Sequence, residues 1–446
     1  MATTTYWSPN QAAIAQVETY TFSAPNSVGN HYKATINGKT VTYSSVSGDT
    51  AALAATGLFD LLNVSESIAP ELTEITFANP SDGVITATAR TAGTPFANVT
   101  VNGVTGQGLV LSTGNGLAAG ITTAHTTANA SPSDVNDAQN WLRVTTPAPG
   151  VRAIPVNGDD VIVANSDVPL LWNLDALAAV QFNTYTRWQN FTATIGLPEN
   201  NPGGYTEWRA TYFRFVGPQG SVPAGGLAMV LGYDSGSGGG PSRERYDVGS
   251  QPVTLTILAA GSPIDEYGVR FLGVHTANTF VLLGGVSLGI AMQSGEVANL
   301  SSCSMDGNSV LGIGTGVTWT AASTLTMYGG SAFLNAAPAT LAMNNGAQVV
   351  VATTGLTWAT ITARGSSSMV WLAGGTITTL TMEAGSSLDK SGDGRGLTIT
   401  NSTIDGDSCL IDDLLNSITF TNATSVKQQV SSGPFRFTGT RTVKVT

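Results

Sequence analysis

Charged side chains are scarce in this sequence. Only 11% of the 446 residues are Asp, Glu, Lys or Arg, against about 25% in an average soluble protein. Thr, Val and Ile, which favour strands, are abundant, and so are Gly, Asn and Ser, which favour turns. General disorder is excluded because 42% of the residues are hydrophobic and recur at regular intervals, so that a core can form. The composition predicts an all-β protein.

Clusters of basic residues, cysteines and histidines are lacking as well. The formal net charge is −11, and no basic run of five or more residues occurs, which argues against nucleic acid as a partner. Cys303 and Cys409 are too few for a disulfide framework. We expect two buried thiols, although their pairing stays open. His31, His125 and His275 are too scattered to predict a metal site.

Motifs for cofactors and for nucleophilic catalysis are not found either. The sequence contains no glycine-rich phosphate loop, no zinc-spaced Cys and His set and no Ser/His/Asp motif. It therefore predicts no catalytic residue, no cofactor and no metal ligand. No stretch of 18 apolar residues is present to cross a membrane, and the first residues lack the pattern of a secretory signal. An exoprotein-like composition without an export signal is typical of a virion protein assembled in the host cytoplasm.

Residues 1–102 are predicted to form a small α+β attachment module. The segment 32–43 alternates polar and apolar residues around Asn37-Gly38, which predicts a hairpin. Residues 49–63 predict a helix with Asp49 as its N-cap. The apolar face of that helix is predicted to contain Leu53, Ala54, Leu58, Leu61 and Leu62. Further strands are predicted at 74–77, 84–89 and 98–101, and the Gly-, Thr- and Ala-rich residues 103–139 are predicted to be a linker.

Residues 140–250 are predicted to open a solenoid. Asn157-Gly158 is a turn signal, and the strand Val161–Val163 follows it. Asp159-Asp160 could be a general acid and base, but aspartates in turns bond their own backbone, which is the favoured explanation. Core packing is favoured, with glycan stacking as the alternative, for the aromatic residues of this region: Trp172, Phe182, Tyr185, Trp188, Phe191, Tyr205, Trp208, Tyr212 and Phe213.

A repeat decides the architecture of residues 251–425. A glycine followed by small or polar residues and then an apolar residue recurs at nearly even spacing, at Gly307, Gly330, Gly346, Gly365, Gly385 and Gly406. Apolar-Thr-apolar segments beginning at Leu356, Ile377, Leu397 and Ile418 keep the same period. A period of about 20 residues indicates a solenoid, because each coil must stack on the next to bury its apolar face. We predict a parallel β-helix.

Two features near the C-terminus have alternative interpretations. One set of charged residues is crowded on two successive coils, where a carboxylate pair of a polysaccharide lyase or hydrolase is possible; these are Asp389, Lys390, Asp393, Arg395, Asp405, Asp407, Asp412 and Asp413. Turn loops and coil corners are the favoured explanation. Residues 426–446 lack acids in this acidic chain, and we predict that they form a cap strand that pairs with a neighbouring subunit of a trimer.

Three segments resemble bacteriophage and prophage structural proteins with β-helical bodies. They are the hairpin–helix–strand module that ends in Ala92-Gly-Thr-Pro-Phe96, the Asn140-Trp141 pair ahead of Pro155-Val-Asn-Gly-Asp-Asp160, and the stretch 195–212. The resemblance implies a capsid decoration or head-fibre protein that forms homo-oligomers and binds other virion proteins such as the major capsid protein. The alternative is a tail fibre, spike or adhesin that binds host glycans.

Overall fold

The computed structural model describes residues 3–25, 28–78, 81–101, 121–145, 148–197, 209–217, 226–233, 244–259, 267–405, 407–411, 418–422, 424–427 and 443–445. The strands of these residues are β1 (Thr3–Trp7), β2 (Val17–Phe22), β3 (His31–Ile36), β4 (Lys39–Ser44), β5 (Ile75–Ala78), β6 (Val84–Ala89), β7 (Asn98–Val101), β8 (Ile121–Thr127), β9 (Trp141–Thr145), β10 (Val151–Arg152), β11 (Asp160–Val163), β12 (Thr184–Arg187), β13 (Phe213–Arg214), β14 (Leu227–Tyr233), β15 (Glu244–Asp247), β16 (Val253–Ala259), β17 (Val269–Leu272), β18 (Thr279–Leu283), β19 (Ser287–Ile290), β20 (Ala298–Asp306), β21 (Val310–Ile313), β22 (Val317–Tyr328), β23 (Ser331–Leu334), β24 (Thr340–Asn344), β25 (Gln348–Val351), β26 (Leu356–Ala363), β27 (Ser368–Trp371), β28 (Gly375–Met382), β29 (Ser387–Asp389), β30 (Leu397–Asp405), β31 (Cys409–Ile411), β32 (Ile418–Phe420), β33 (Thr424–Lys427) and β34 (Val443–Val445). The helical elements within the described ranges are the α-helix α1 (Ala51–Ile68) and the 3-10 helices Pro70–Leu72, Ser81–Gly83 and Ala138–Asn140. This nearly all-β content confirms the predicted fold class.

Two long parallel sheets form the body of the protein. The first sheet contains β11, β12 and the even-numbered strands from β14 to β30, in chain order. The second sheet has ten strands, which are the odd-numbered strands from β13 to β31, also in chain order. Because the chain alternates between the two sheets, each pair of strands forms one coil of a parallel β-solenoid, as the repeat predicts.

The register of the first sheet explains how the coils stack. Leu325, Leu341 and Ile361 are successive partners, and all three side chains are buried in the common core. The preceding residues Thr324, Thr340 and Thr360 form a parallel row on the outer face. Side chains alternate between the faces of a strand, and neighbouring strands lie about 4.8 Å apart. Alternating Thr and apolar residues therefore produce an uncharged outer face over a continuous hydrophobic core.

A third face accounts for the one short interval of the repeat, between Gly330 and Gly346. The long strands β20 and β22 have a register irregularity between Leu300 and Ser302, so their first residues form a separate side of the coil. Leu356–Trp358 of β26 pair with Gly375–Ile377 of β28 on the same side. In the short coil between Gly330 and Gly346, β24 follows β23 after a brief turn and pairs with β22 from Thr324 onward. This coil is shorter because β24 pairs with β22 on the first sheet only and adds no strand to the third face.

The first strand belongs to the solenoid. Strand β1 pairs in parallel with β11 and antiparallel with β9, so that Trp7 lies opposite Trp141. The two indoles are buried and in edge-to-face contact, with ring centroids 4.9 Å apart. The sequence analysis predicted that residues 3–7 belong to the N-terminal module. The structure shows instead that they form a strand of the first coil. A pairing between segments so distant along the chain has no local sequence signal.

The α+β module is an insertion in the first coil. An antiparallel bridge between Ile14 and Ala130 closes its base. One of its sheets has the strand order β5, β6, β2 and β8, the other has the order β4, β3 and β7, and its hydrophobic core is separate from that of the solenoid. The predicted hairpin is present, with Asn37 and Gly38 at φ values of 50° and 83°. Strand β8 lies within the predicted linker 103–139, so residues 121–127 are part of the module.

Helix α1 differs from its prediction in the cap and in the buried face. The Thr50 side chain accepts a hydrogen bond from the Leu53 amide and is therefore the N-cap. The Asp49 carboxylate instead accepts from the Tyr43 hydroxyl and the Val46 amide. The side chains of Ala54, Ala55, Leu58 and Leu62 are buried, whereas those of Leu53 and Leu61 are 52% and 39% exposed. The buried stripe is therefore rotated from the predicted one and includes Ala55 but neither Leu53 nor Leu61.

The C-terminal strands extend the first sheet. Strand β33 pairs in parallel with β30, and β34 pairs in parallel with β33, with Lys444 opposite Ser425. The predicted cap segment 426–446 thus contributes strands after the last coil of the repeat. Its residues 428–442 and 446, and Gly406, Asp412 and Asp413 of the preceding coil, lie outside the described residues.

Candidate functional site

Asp389 and Asp405, two of the described acidic residues near the C-terminus, are bonded within their own loops or to the adjacent coil. The Asp389 carboxylate accepts from the amide and hydroxyl of Ser391, just beyond it in the chain. Asp405 accepts from the Ala384 amide of the adjacent coil and from the Asp407 amide. Asp389 belongs to the second sheet and Asp405 to the first. Both carboxylates therefore act as turn residues in the described structure.

Lys390, Asp393 and Arg395 form one ion-pair network in a turn loop. The buried Lys390 ammonium donates to Asp393 at 2.7 Å, and Arg395 Nε donates to the same carboxylate at 2.7 Å. Burial alone would raise the pKa of Asp393, but these hydrogen bonds and charges outweigh it and lower the pKa below its ordinary value. Arg395 also donates to Thr354, two coils earlier in the chain. The network ties the loop to the stack of coils.

Asp159 is buried and forms an ion pair with the partly exposed Arg143. Its carboxylate accepts two hydrogen bonds from Arg143, both of 2.9 Å, and one of 2.7 Å from the Thr5 hydroxyl. It also accepts from the Val156 amide across the turn, as turn chemistry predicts. Arg143 lies on β9 and Thr5 on β1, so Asp159 connects both strands to the turn before β11. A bidentate Arg–carboxylate pair is geometrically specific, and here it fixes the first coil.

The aromatic region packs mainly into the solenoid core. The rings of that core are those of Trp172, Phe182, Tyr185, Phe191 and Phe213, and Tyr212 is buried outside it. Phe182 and Tyr185 stack on Phe215, with centroids 4.8 and 5.3 Å away. Tyr205 and Trp208 lie outside the described residues. Trp188 differs from the buried rings, because 53% of its surface is exposed.

A buried charge network lies next to Trp188. Arg187 Nε donates to Glu244 at 2.9 Å, and neither side chain has any solvent exposure. The hydroxyls of Tyr233 and Tyr246 each donate to the other carboxylate oxygen at 2.7 Å. Burial, with the added charge of Glu244, raises the pKa of both tyrosines well above the ordinary value. Each of the two buried charges therefore has an oppositely charged partner, without which burial in a solenoid core would be costly.

The exposed Trp188 forms one wall of a cleft at the first coils. The cleft has a volume of about 750 Å³, and Tyr6, 38% exposed, is another of its aromatic residues. Asn165, Ser166, Asp167 and Asn190 supply its polar groups. Ligand pockets commonly measure about 300–1,000 Å³ and combine apolar walls with a few placed polar groups. The cleft has both properties.

The backbone around Trp188 is held by hydrogen bonds at its amide and at its carbonyl. The Trp188 amide donates to the Val163 carbonyl at 2.9 Å. Its carbonyl accepts from the Phe191 amide and from the Arg187 guanidinium, both at 3.0 Å. The buried Arg187–Glu244 pair thus anchors the turn that exposes the indole. These bonds hold the Trp188 backbone, while its ring faces solvent.

Asn165 and Asn190 form the polar floor of the same cleft. The Asn165 backbone amide donates to the Asn190 side-chain oxygen at 3.1 Å, and the Asn190 side-chain nitrogen donates to the Asn165 side-chain oxygen. Asn165 has a φ of 51°, a left-handed conformation that asparagine tolerates better than most residues. Strained backbone of this kind persists where surrounding contacts hold it. The two amides therefore have fixed orientations toward solvent.

The sequence indicated Trp188 only as one member of the aromatic group and gave no indication of its partners. Tyr6 comes from β1, and Asn165 and Asn190 come from two successive coils. Within the ranges that the structure describes, no group of three His, Cys, Asp or Glu could hold a metal ion, and no helix has the length and apolarity to cross a membrane.

Comparison with known proteins gives no relative, because no protein-family model, no curated protein and no solved structure matches the chain.

Proposed function

We propose that this chain is a non-enzymatic structural subunit of a bacteriophage particle, as a capsid decoration or head-fibre protein. The observation that carries the proposal is the solenoid itself, a parallel stack of coils with a Thr-rich outer face that bears few charges and a continuous core. Its stacking makes the body rigid along its axis, because every coil is hydrogen-bonded to the next. Rigidity and length are the properties that a lattice-bound or projecting virion protein requires.

The charged residues of the last coils support the same proposal. Asp389, Asp393 and Asp405 are bonded to groups of their own loop or of the adjacent coil. A site that hydrolyses a polysaccharide needs a pair of carboxyl groups presented to the scissile bond. In this protein Asp389, Asp393 and Asp405 stabilise turns, which suits a scaffold better than a hydrolase.

Self-association through the C-terminal segment is part of the proposal. Residues 426–446 contain four cations and no acid, in a chain whose net charge is −11. A basic segment next to an acidic surface favours attachment between copies of the chain. We expect a trimer, which light scattering of the purified protein measures directly. Removal of residues 430–446 is expected to give a monomer, and an unchanged trimer would contradict this assignment.

The location on the particle is tested by cryo-electron microscopy of purified virions of the parent phage. Trimeric rods or plates on the capsid lattice, in contact with the major capsid protein, are the expected result. Density confined to the tail tip would replace the decoration role by receptor binding. Particles without density for this chain would overturn the structural role.

A further inference from the structure

We propose that the cleft between Trp188 and Tyr6 binds a pyranose unit of a neutral glycan, stacked on the Trp188 indole. The motivating observation is a half-exposed tryptophan with a hydrogen-bonded backbone, which shares a cleft of about 750 Å³ with two asparagine side chains that bond each other. The proposal does not depend on the location of the chain in a virion, since it concerns only the chemistry of this surface.

The aromatic surface supplies the stacking platform. Large apolar rings are normally buried. The other described aromatic rings of residues 172–213 are all buried. Trp188 remains exposed although its backbone amide and carbonyl are both bonded, so the exposure is built into the fold and is not the result of a loose loop. An indole presents a flat apolar face, which matches the C–H face of a pyranose ring. Tyr6 adds a second ring with a hydroxyl at its tip.

The polar residues match the hydroxyls of the same ligand. Asn165 and Asn190 are exposed and hold each other by two hydrogen bonds. Each side-chain amide contains both a donor and an acceptor, which is what an array of sugar hydroxyls requires. Asp167 and Ser166 add a carboxylate and a hydroxyl to the lining. Fixed polar groups around an apolar wall give orientation to a bound ligand.

The charge of the cleft selects a neutral sugar. Among the described residues that line it, Asp167 is the carboxylate and none is Lys, Arg or His. An acidic sugar would meet this carboxylate, together with the net charge of −11 of the chain, without a compensating cation. Phosphate and sulfate groups would be bound by Arg or Lys in a matching site. The lining therefore favours uncharged hexoses or N-acetylhexosamines over uronic, sialylated or sulfated glycans.

The full-length protein can be tested with defined oligosaccharides. The neutral probes are hexasaccharides of glucose, mannose, galactose and N-acetylglucosamine, and the acidic probes are oligogalacturonate and sialyllactose. Binding is measured by isothermal titration calorimetry and by saturation-transfer NMR. We expect at least one neutral probe to bind, and Trp188→Ala to weaken that binding by about tenfold or more, as removal of a central aromatic contact does.

A matched control separates stacking from general surface effects. Tyr328 is 54% exposed, about as much as Trp188, but lies on β22, several coils away. Tyr328→Ala is expected to leave binding unchanged, and Trp188→Phe is expected to retain part of it. Far-UV circular dichroism of each variant checks the fold. Equal affinity of Trp188→Ala and the native chain, preference for the acidic probes, or binding of none of the probes would overturn the proposal.

The outcome is separable from that of the structural role. A chain that binds no sugar can still decorate a capsid, and a chain that is absent from particles can still bind a neutral glycan. The two experiments use different samples, so a negative result in one does not contradict the proposal that the other tests.

Discussion

The buried Arg187–Glu244 pair gives the sharpest test of how the first coils are held together. Glu244→Gln removes the negative charge and keeps the shape of the side chain. Arg187 then remains in the core with its charge uncompensated, 2.9 Å from a neutral amide. The two tyrosine hydroxyls that donate to Glu244 can still donate to the new side-chain oxygen. A Gln oxygen that keeps both tyrosine bonds leaves the Gln NH2 group facing the Arg187 Nε donor. The substitution therefore removes the negative charge together with the hydrogen bond that the carboxylate accepts from Arg187.

The expected cost follows from the burial of both partners. Neither side chain is exposed, and breaking a fully buried ion pair from one side costs about 3–5 kcal/mol. Part of this cost is offset by the aromatic rings, since the Arg187 guanidinium carbon lies 4.3 Å from the Tyr233 ring centroid. We expect a decrease of about 3 kcal/mol in the free energy of unfolding.

A double variant provides the control. Arg187→Met in the Glu244→Gln background removes the remaining charge and fills a similar volume with an apolar side chain. Replacement of a buried ion pair by well-packed neutral groups is often nearly neutral, so we expect the double variant to be more stable than Glu244→Gln alone. Recovery of about 1 kcal/mol or more is the coupling that neighbouring residues show.

The assay is urea unfolding followed in parallel by tryptophan fluorescence and far-UV circular dichroism. Coincident transitions are required before a single free energy is assigned. A loss of less than about 1 kcal/mol for Glu244→Gln would refute the account of an obligatory buried pair. A double variant less stable than the single one would show that the Arg187 bonds to the Trp188 and Gly232 carbonyls matter more than its charge.

Three further predictions concern single positions. Burial raises the pKa of the Cys303 thiol to about 12, so a thiol reagent at pH 8 should label only the half-buried Cys409 in the native chain and both thiols after unfolding. Because the unfolded thiol ionises near pH 8.5, the stability that the neutral Cys303 contributes is present below that pH and is lost as the pH rises toward 12. Thr50→Ala should destabilise the module by about 1 kcal/mol through loss of the N-cap, measured by thermal unfolding against the native chain. Leu341→Ala should cost about 2–5 kcal/mol by leaving a core cavity, whereas Thr340→Ala on the outer face should cost about 0.5 kcal/mol or less in the same urea titration.

The repeat was predictable because its physical cause is local. Each coil of the later solenoid uses the same alternation of Thr and apolar residues, so one period in the sequence corresponds to one coil in space. The hairpin at Asn37-Gly38 was predictable for a similar reason, since both turn residues adopt positive φ. In these segments the neighbours that determine the structure belong to the same turn or to the adjacent coil.

Features that depend on distant partners were not predictable. The helix face was misplaced because Leu53 and Leu61 are as apolar as Leu58 and Leu62, and only the position of the sheets decides which of them is buried. The cleft was missed because Tyr6, Asn165 and Trp188 meet only after β1 pairs with β11. Asp159 was predicted as a turn residue, but its bonds to Arg143 and Thr5 required the same long-range pairing.

The insertion of the module in the first coil leads to a last prediction, that the solenoid folds without it. Ile14 and Ala130 are antiparallel bridge partners, with their backbone atoms 2.8 Å apart in a hydrogen bond. A two-residue Asn-Gly turn can join such partners, so residues 15–129 can be replaced by it without moving β1. The module and the solenoid have separate cores, and a described contact between them is the Arg209–Glu74 ion pair at 3.3 Å.

We expect the excised chain to be soluble and to keep the circular dichroism of a β-solenoid. Its urea midpoint should stay close to that of the native chain, because a partly exposed ion pair contributes about 0–1 kcal/mol. The matched control removes residues 1–8 and leaves the module in place. That deletion removes β1, which pairs with both β9 and β11, and it removes the Thr5 hydroxyl that donates to Asp159. We therefore expect the first coil to unfold, or the chain to aggregate through the exposed strand edge. If the excised chain aggregates and the chain without β1 does not, the module rather than β1 covers the end of the solenoid.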